Sequence, residues 1–168
     1  MFVLVGCGSG SKPKAAGNEP PPPATRRDVA TGPVRIEGRN EKGDLLYVLS
    51  APKAGLTVEG DRNAFGKLND VSAVLYRDGK EASTAKADAA EVDKTNRKLV
   101  LTGGVRLNVK MDGATMTADK MVYREGEGRI EATGEVWVTR GGLKTGPLPA
   151  LWATPDLRRF ATPGEWRP

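Results

Sequence analysis

From Val34 onward, apolar and polar residues alternate. Between Ile130 and Val138, Ile130, Ala132, Val136 and Val138 share one face, while Glu131, Thr133, Glu135 and Trp137 share the other. Successive side chains of a strand point to opposite faces, so a period of two predicts a half-buried strand rather than a helix. Leu99, Leu101, Val105, Leu107 and Val109 repeat the arrangement against Arg106, Asn108 and Lys110. The two stretches superpose at an offset of 31 residues: Thr84, Ala87, Asp88, Thr102, Gly103 and Val105 recur as Thr115, Ala118, Asp119, Thr133, Gly134 and Val136. Carried backward, the same offset places Leu68, Val74 and Tyr76 under Leu99, Val105 and Leu107. A repeat of this length predicts stacked copies of one supersecondary unit.

Turn residues mark the joints of that unit. Asp78-Gly79, Asp112-Gly113 and Gly141-Gly142 separate alternating runs, as two-residue hairpin turns with positive φ require. Further turns fall at Lys94-Thr95-Asn96 and Glu125-Gly126-Glu127-Gly128. Each unit is therefore two strands, predicted over Ala82–Val92 and Lys98–Val109, then Thr115–Tyr123 and Arg129–Arg140. Ala82–Val92 is Ala-rich enough for a helix, but its alignment with the β-patterned Thr115–Tyr123 favours a strand. Gly103 and Gly134 interrupt equivalent strands at one place, where a glycine marks a bulge or bend. A sheet bent there in every unit folds over itself. The expected fold is all-β: an antiparallel β-jellyroll, an open trough built from repeated β-hairpin units, over residues 34–166.

The sequence ahead of this region is of another kind. Leu4-Val5-Gly6-Cys7 has the form of a bacterial lipobox, and Cys7, the only cysteine, is the expected lipidation site. The apolar run is too short to span a bilayer, so residues 1–7 read as the end of a lipoprotein signal. Residues 8–33, with Gly-Ser-Gly-Ser and Pro20 to Pro23, read as a flexible-then-stiff linker of at most about 90 Å.

Composition narrows the chemistry. The chain has no histidine and one cysteine, so the commonest general base, the commonest metal ligand and any internal disulfide are missing. No catalytic residues, metal site or cofactor are expected. Trp137, Trp152 and Trp166 could serve as sugar platforms, but no carboxylate pair accompanies them. The net charge of +5 fits an anionic partner such as a phosphate-bearing lipid or membrane. Basic and acidic residues interleave without an aromatic-flanked basic stripe, so nucleic acid is not expected.

Two phrases carry a family resemblance: Ala87-Asp88 followed by Lys98–Leu107 with its Gly103-Gly104-Val105, and Asp112–Tyr123 followed by Arg129–Val136 with its Gly134-Glu135-Val136. "Ala-Asp, tyrosine, turn, Gly-x-Val" at about 30-residue intervals resembles the LptA/LptC (OstA-like) lipopolysaccharide transport domain, over roughly residues 34 to 164. The resemblance implies a jellyroll that shields acyl chains and joins its neighbours edge to edge. It further implies a periplasmic protein beside an inner-membrane ABC transporter and a bridge protein. A lipobox followed by a linker favours the LptC-like branch, held to the membrane by its lipid anchor; an LptA-like role stays open. The partner expected is lipopolysaccharide or a similar amphipathic lipid.

The candidate lipid-binding residues are the inward rows: Val74, Tyr76, Leu99, Leu101, Val105, Leu107, Met116, Met121, Tyr123, Ile130, Ala132, Val136 and Val138. Ala85, Ala87, Ala90, Ala118 and Ala132 are expected to leave room for acyl chains. Arg106, Lys110, Arg124, Arg140, Arg158 and Arg159 are candidates for headgroup phosphates, though each also fits a solvated outer face. Asp88 and Asp119, at equivalent positions, are expected to make a turn or bulge hydrogen bond. Pro147, Pro149, Pro155 and Pro163 suggest a blunted C-terminal edge, which leaves the other edge for pairing. The competing reading is a structural or adhesive β-repeat surface lipoprotein with a filled core and no lipid ligand.

Overall fold

The computed structural model describes residues 27–59 and 63–167. Among these residues, eleven strands form one antiparallel sheet: β1 (Arg27–Thr31), β2 (Val34–Arg39), β3 (Leu45–Ala51), β4 (Lys53–Glu59), β5 (Asn63–Arg77), β6 (Lys80–Asp93), β7 (Lys98–Val109), β8 (Thr115–Arg124), β9 (Arg129–Arg140), β10 (Leu143–Ala153) and β11 (Phe160–Ala161). No helix occurs among the described residues. The alanine-rich stretch is strand β6, because its neighbours on both sides complete its ladder.

The connectivity is a meander. β3 and β4 share one edge of β5, pairing Ser50 with Ser72 and Lys53 with Asn69, so they are one long strand interrupted at Pro52. β1 and β2 pair with β4 and β3 in the same way and break at Gly32-Pro33. Proline lacks the ladder donor, which explains both interruptions. Among the described residues, strand pairing begins at Arg27, seven residues ahead of the expected domain start, so residues 27–31 of the expected linker pair into the sheet. Cys7 and the lipobox lie outside the described residues.

The sheet folds across its middle. Register shifts fall between Lys86 and Ala89, between Thr102 and Val105, and between Thr117 and Lys120. At this line Gly103, Gly104 and Gly134 have φ of 80°, 51° and 76°, and Glu135 has 37°. A Cβ on Gly103 would lie 2.8 Å from the Cβ of Asp88, and one on Gly134 would lie 2.8 Å from that of Asp119. Close approach and positive φ together require glycine at both places. Neither aspartate makes a side-chain hydrogen bond among the described residues. Contrary to the expected bulge hydrogen bond, each lies over its glycine, and it is this contact that repeats.

Beyond the bend, Leu75, Ala85 and Leu107 from one half meet Leu99, Leu101, Met121, Tyr123 and Ile130 from the other. The result is an open-edged jellyroll trough with one apolar core between two faces of a single sheet. Each fully buried Leu, Ile, Val or Met contributes about 1.5–3 kcal/mol.

The candidate functional site: the interior and mouth of the folded sheet

Of the candidate lining residues, Leu99, Leu101, Val105, Leu107, Met116, Met121, Tyr123, Ile130, Ala132, Val136 and Val138 are buried in the shared core. Val74 and Tyr76 are not inward. Ala73, Ala85 and Leu107 form one cross-strand row, and Val74 falls in the next, beside the exposed Thr84. β5 reaches this row at Ala73, three residues before Tyr76, which the 31-residue offset places under Leu107, and this odd-numbered change gives Ala73 and Leu75 the inward places. Tyr76, beyond a register shift in β5, is half-buried at the mouth.

The expectation of spare room is corrected as well. Ala85, Ala87, Ala90, Ala118 and Ala132 are all buried. The gap that Ala85 shares with Leu99, Met121 and Tyr123 measures only about 10 Å³, no more than one water needs. Large side chains of the opposite half fill the space that the alanines leave. An acyl chain therefore requires the halves to part or a side chain to leave.

Opposite the bend, the hairpin turns of the two halves come together and form the mouth. Tyr47 and Tyr123 meet edge to face with centroids 6.2 Å apart. Burial, aided by Glu125, pushes the Tyr123 phenol up to about 12 and raises Tyr47 by the same causes. Arg97 pairs with Glu41 at 2.8 Å, and Arg77 pairs with Asp156 at 2.8 Å. Nη2 of Arg140 donates to the Leu157 carbonyl at 2.8 Å. A cleft of about 650 Å³ opens here, lined by Leu45, Leu46, Tyr76, Tyr123 and Trp166 with Arg77, Arg129 and Arg159 at its polar wall. Arg129 lies over the Trp152 ring at 3.8 Å and pairs with Glu131 at 2.6 Å. Burial would raise the Glu131 carboxyl, but Arg124 and Arg129 outweigh it and hold the group below the usual range.

The candidate headgroup cations are mostly engaged within the fold. Lys110 pairs with Glu81, Arg124 with Glu131 at 2.6 Å, Arg140 with Asp112 at 3.2 Å and Arg158 with Asp156 at 3.7 Å. Arg159 donates to the Arg167 carbonyl, and Arg106 is exposed. They do not converge on one phosphate site. Sequence reasoning missed Tyr47, Leu49, Arg77, Asp156 and Leu157. Tyr47 and Leu49 lie in the continuous apolar run Leu45–Leu49, which signals a buried strand but not its inward face; Leu157, in an irregular segment, carried no signal.

At the sheet's two ends the outer edges differ. β1 and β2 have no strand on their outer side among the described residues, whereas β10 is met by the two-residue β11 and carries Pro147 and Pro149.

Stacked hairpins folded over one apolar interior, with open strand edges, define a trough-type β-jellyroll. A family model described as "Lipopolysaccharide-assembly, LptC-related" matches residues 2–146, and the chain belongs to that family. Membership carries a role in lipopolysaccharide transport, at the periplasmic side of the inner membrane and in company with the Lpt transporter complex. A search of curated proteins found no match.

Proposed function

We propose that the chain is a non-enzymatic relay of lipopolysaccharide export. It shelters acyl chains between the two halves of its sheet and passes them to a neighbour joined by strand pairing. The observation that supports this most is the continuous apolar interior, which runs through every strand from β5 to β9 and meets a polar wall at the mouth. Moving a chain there from water gains about 0.8 kcal/mol per methylene. The Pro-free outer edge of β2 is the proposed joint, because unpaired backbone groups recruit another strand. The Pro-bearing β10 is the blunted end. Cys7, within the span matched by the family model, is the proposed lipid anchor, with residues 8–26 as the spacer.

A scaffold reading has one observation in its favour, the close-packed interior. A small aliphatic diazirine side chain placed at Met121 or Val136 in cells separates the two. Lipopolysaccharide adducts at these inward positions, and none from the exposed Arg106, are the result expected of a relay. Efficient photolysis that yields only intramolecular crosslinks would leave the scaffold.

A further inference from the structure

Beyond β10 the chain makes a tight turn, 154–159, before β11. This strap lies past the residues matched by the family model. Its hydrogen bonds are largely internal. The Thr154 N–H donates to the Arg159 carbonyl at 2.9 Å, the Leu157 N–H donates to the Thr154 carbonyl at 2.8 Å, and the Thr154 hydroxyl donates to Asp156 at 2.6 Å. Against the rest of the mouth it is held by the Arg77–Asp156 pair, the Arg140 bond to the Leu157 carbonyl, an Arg158 contact to the Met111 sulfur at 3.5 Å, the Arg159 contacts to the Arg167 carbonyl and the Trp166 ring, and the burial of Thr154, Pro155 and Leu157.

Leu157 is the unusual member. It is 0% exposed and belongs to the apolar core, yet it sits in a loop with φ of 51°. A branched side chain rarely adopts that backbone conformation, and it persists where the surroundings hold it. The turn around it is bonded by Arg77, at the end of β5, through Asp156, and by Arg140, at the end of β9, through the Leu157 carbonyl. Both come from the half of the sheet opposite the one that carries the strap. The strap's own Thr154, Pro155 and Arg159 wall the mouth cleft, whose inner end reaches the buried Tyr123.

We infer that the strap is a detachable plug, and that Leu157 occupies an acyl-chain subsite at the mouth of the trough. This rests on the relay reading. The strap's internal bonds let it leave as a unit without stranding its own backbone groups. Its departure joins the cleft to the apolar interior and frees the volume of one leucine side chain for a lipid's alkyl tail.

The test uses the full chain with Cys7→Ser and cysteines at Arg77 and Asp156, bridged by a short reducible bis-methanethiosulfonate linker. A diazirine side chain at Met121 reports loading of purified lipopolysaccharide. The bridged form is expected to give about tenfold less lipid adduct than the same protein after reduction. Asp156→Asn without the bridge is expected to load severalfold faster than wild type. Equal adduct yield bridged and reduced overturns the plug and leaves the relay intact, as does an unchanged rate in Asp156→Asn. Failure of the two cysteines to bridge overturns it too, since the strap is then not seated against β5. No adduct in any form, wild type included, overturns both.

Discussion

Substitution of Gly134 by alanine tests the bend that makes a trough out of a flat sheet. Two costs are expected. At φ of 76° an alanine pays about 1–2 kcal/mol for the left-handed backbone. Its methyl would also lie 2.8 Å from both Cβ and Cγ of Asp119, an overpacking worth about 1–3 kcal/mol. Loss of glycine's freedom in the unfolded chain returns about 0.4–1 kcal/mol. The net expectation is a loss of about 1–4.5 kcal/mol, or a fall in Tm of roughly 2–18 °C for a domain of this size. Urea denaturation followed by far-UV circular dichroism measures it. A double-mutant cycle with Asp119→Gly divides the cost, because removing the aspartate side chain relieves the collision and leaves the φ penalty. Gly103→Ala, facing Asp88 in the preceding unit, is expected to match within experimental scatter. A loss below about 1 kcal/mol, or strict additivity in the cycle, would refute the reasoning that close approach dictates glycine here.

Two further outcomes follow from the mouth and the core. Burial would raise the Asp156 carboxyl, but hydrogen bonds from Thr154 and the Arg158 N–H, and the charge of Arg77, outweigh it and lower the group. A lowered folded value means that its stabilisation is present above the unfolded value of about 3.9 and is lost as pH falls through the folded one. Asp156→Asn is therefore expected to flatten the decline in urea stability below about pH 4, and an unchanged slope would show that Asp156 is not its source. In the core, Leu99→Ala, at a position 0% exposed, is expected to cost about 2–5 kcal/mol in the same denaturation assay; a loss under about 1 kcal/mol would indicate a hollow interior.

Much of the fold was legible because alternation, turn residues and the 31-residue repeat agree. Strands β7 and β9 have the predicted bounds, and the turn glycines Gly79, Gly113, Gly141 and Gly142 all have positive φ. The inward rows were readable wherever only one face was apolar. They failed at Val74, where Val71, Ala73 and Leu75 compete with it and a one-residue change in register decides. The filling of the trough was not legible at all. An alanine such as Ala85 reads the same whether it borders empty space or Tyr123 from across the bend, because that contact depends on how far the two halves close. The strap was hidden for another reason: Thr154–Arg159 has no periodicity, and its seating depends on long-range bonds from Arg77 and Arg140.

The meander itself has a lasting effect on how such a molecule changes. Among the described residues, every long strand from β6 to β10 bonds only to the strands directly before and after it in the chain, so the architecture is additive, as in solenoid proteins. Gain or loss of one 31-residue module lengthens or shortens the apolar channel by two strands and leaves the ladder on either side intact. On the proposed relay reading, capacity for longer or more numerous alkyl tails is thus adjustable by whole-hairpin duplication, without redesign of the remaining core.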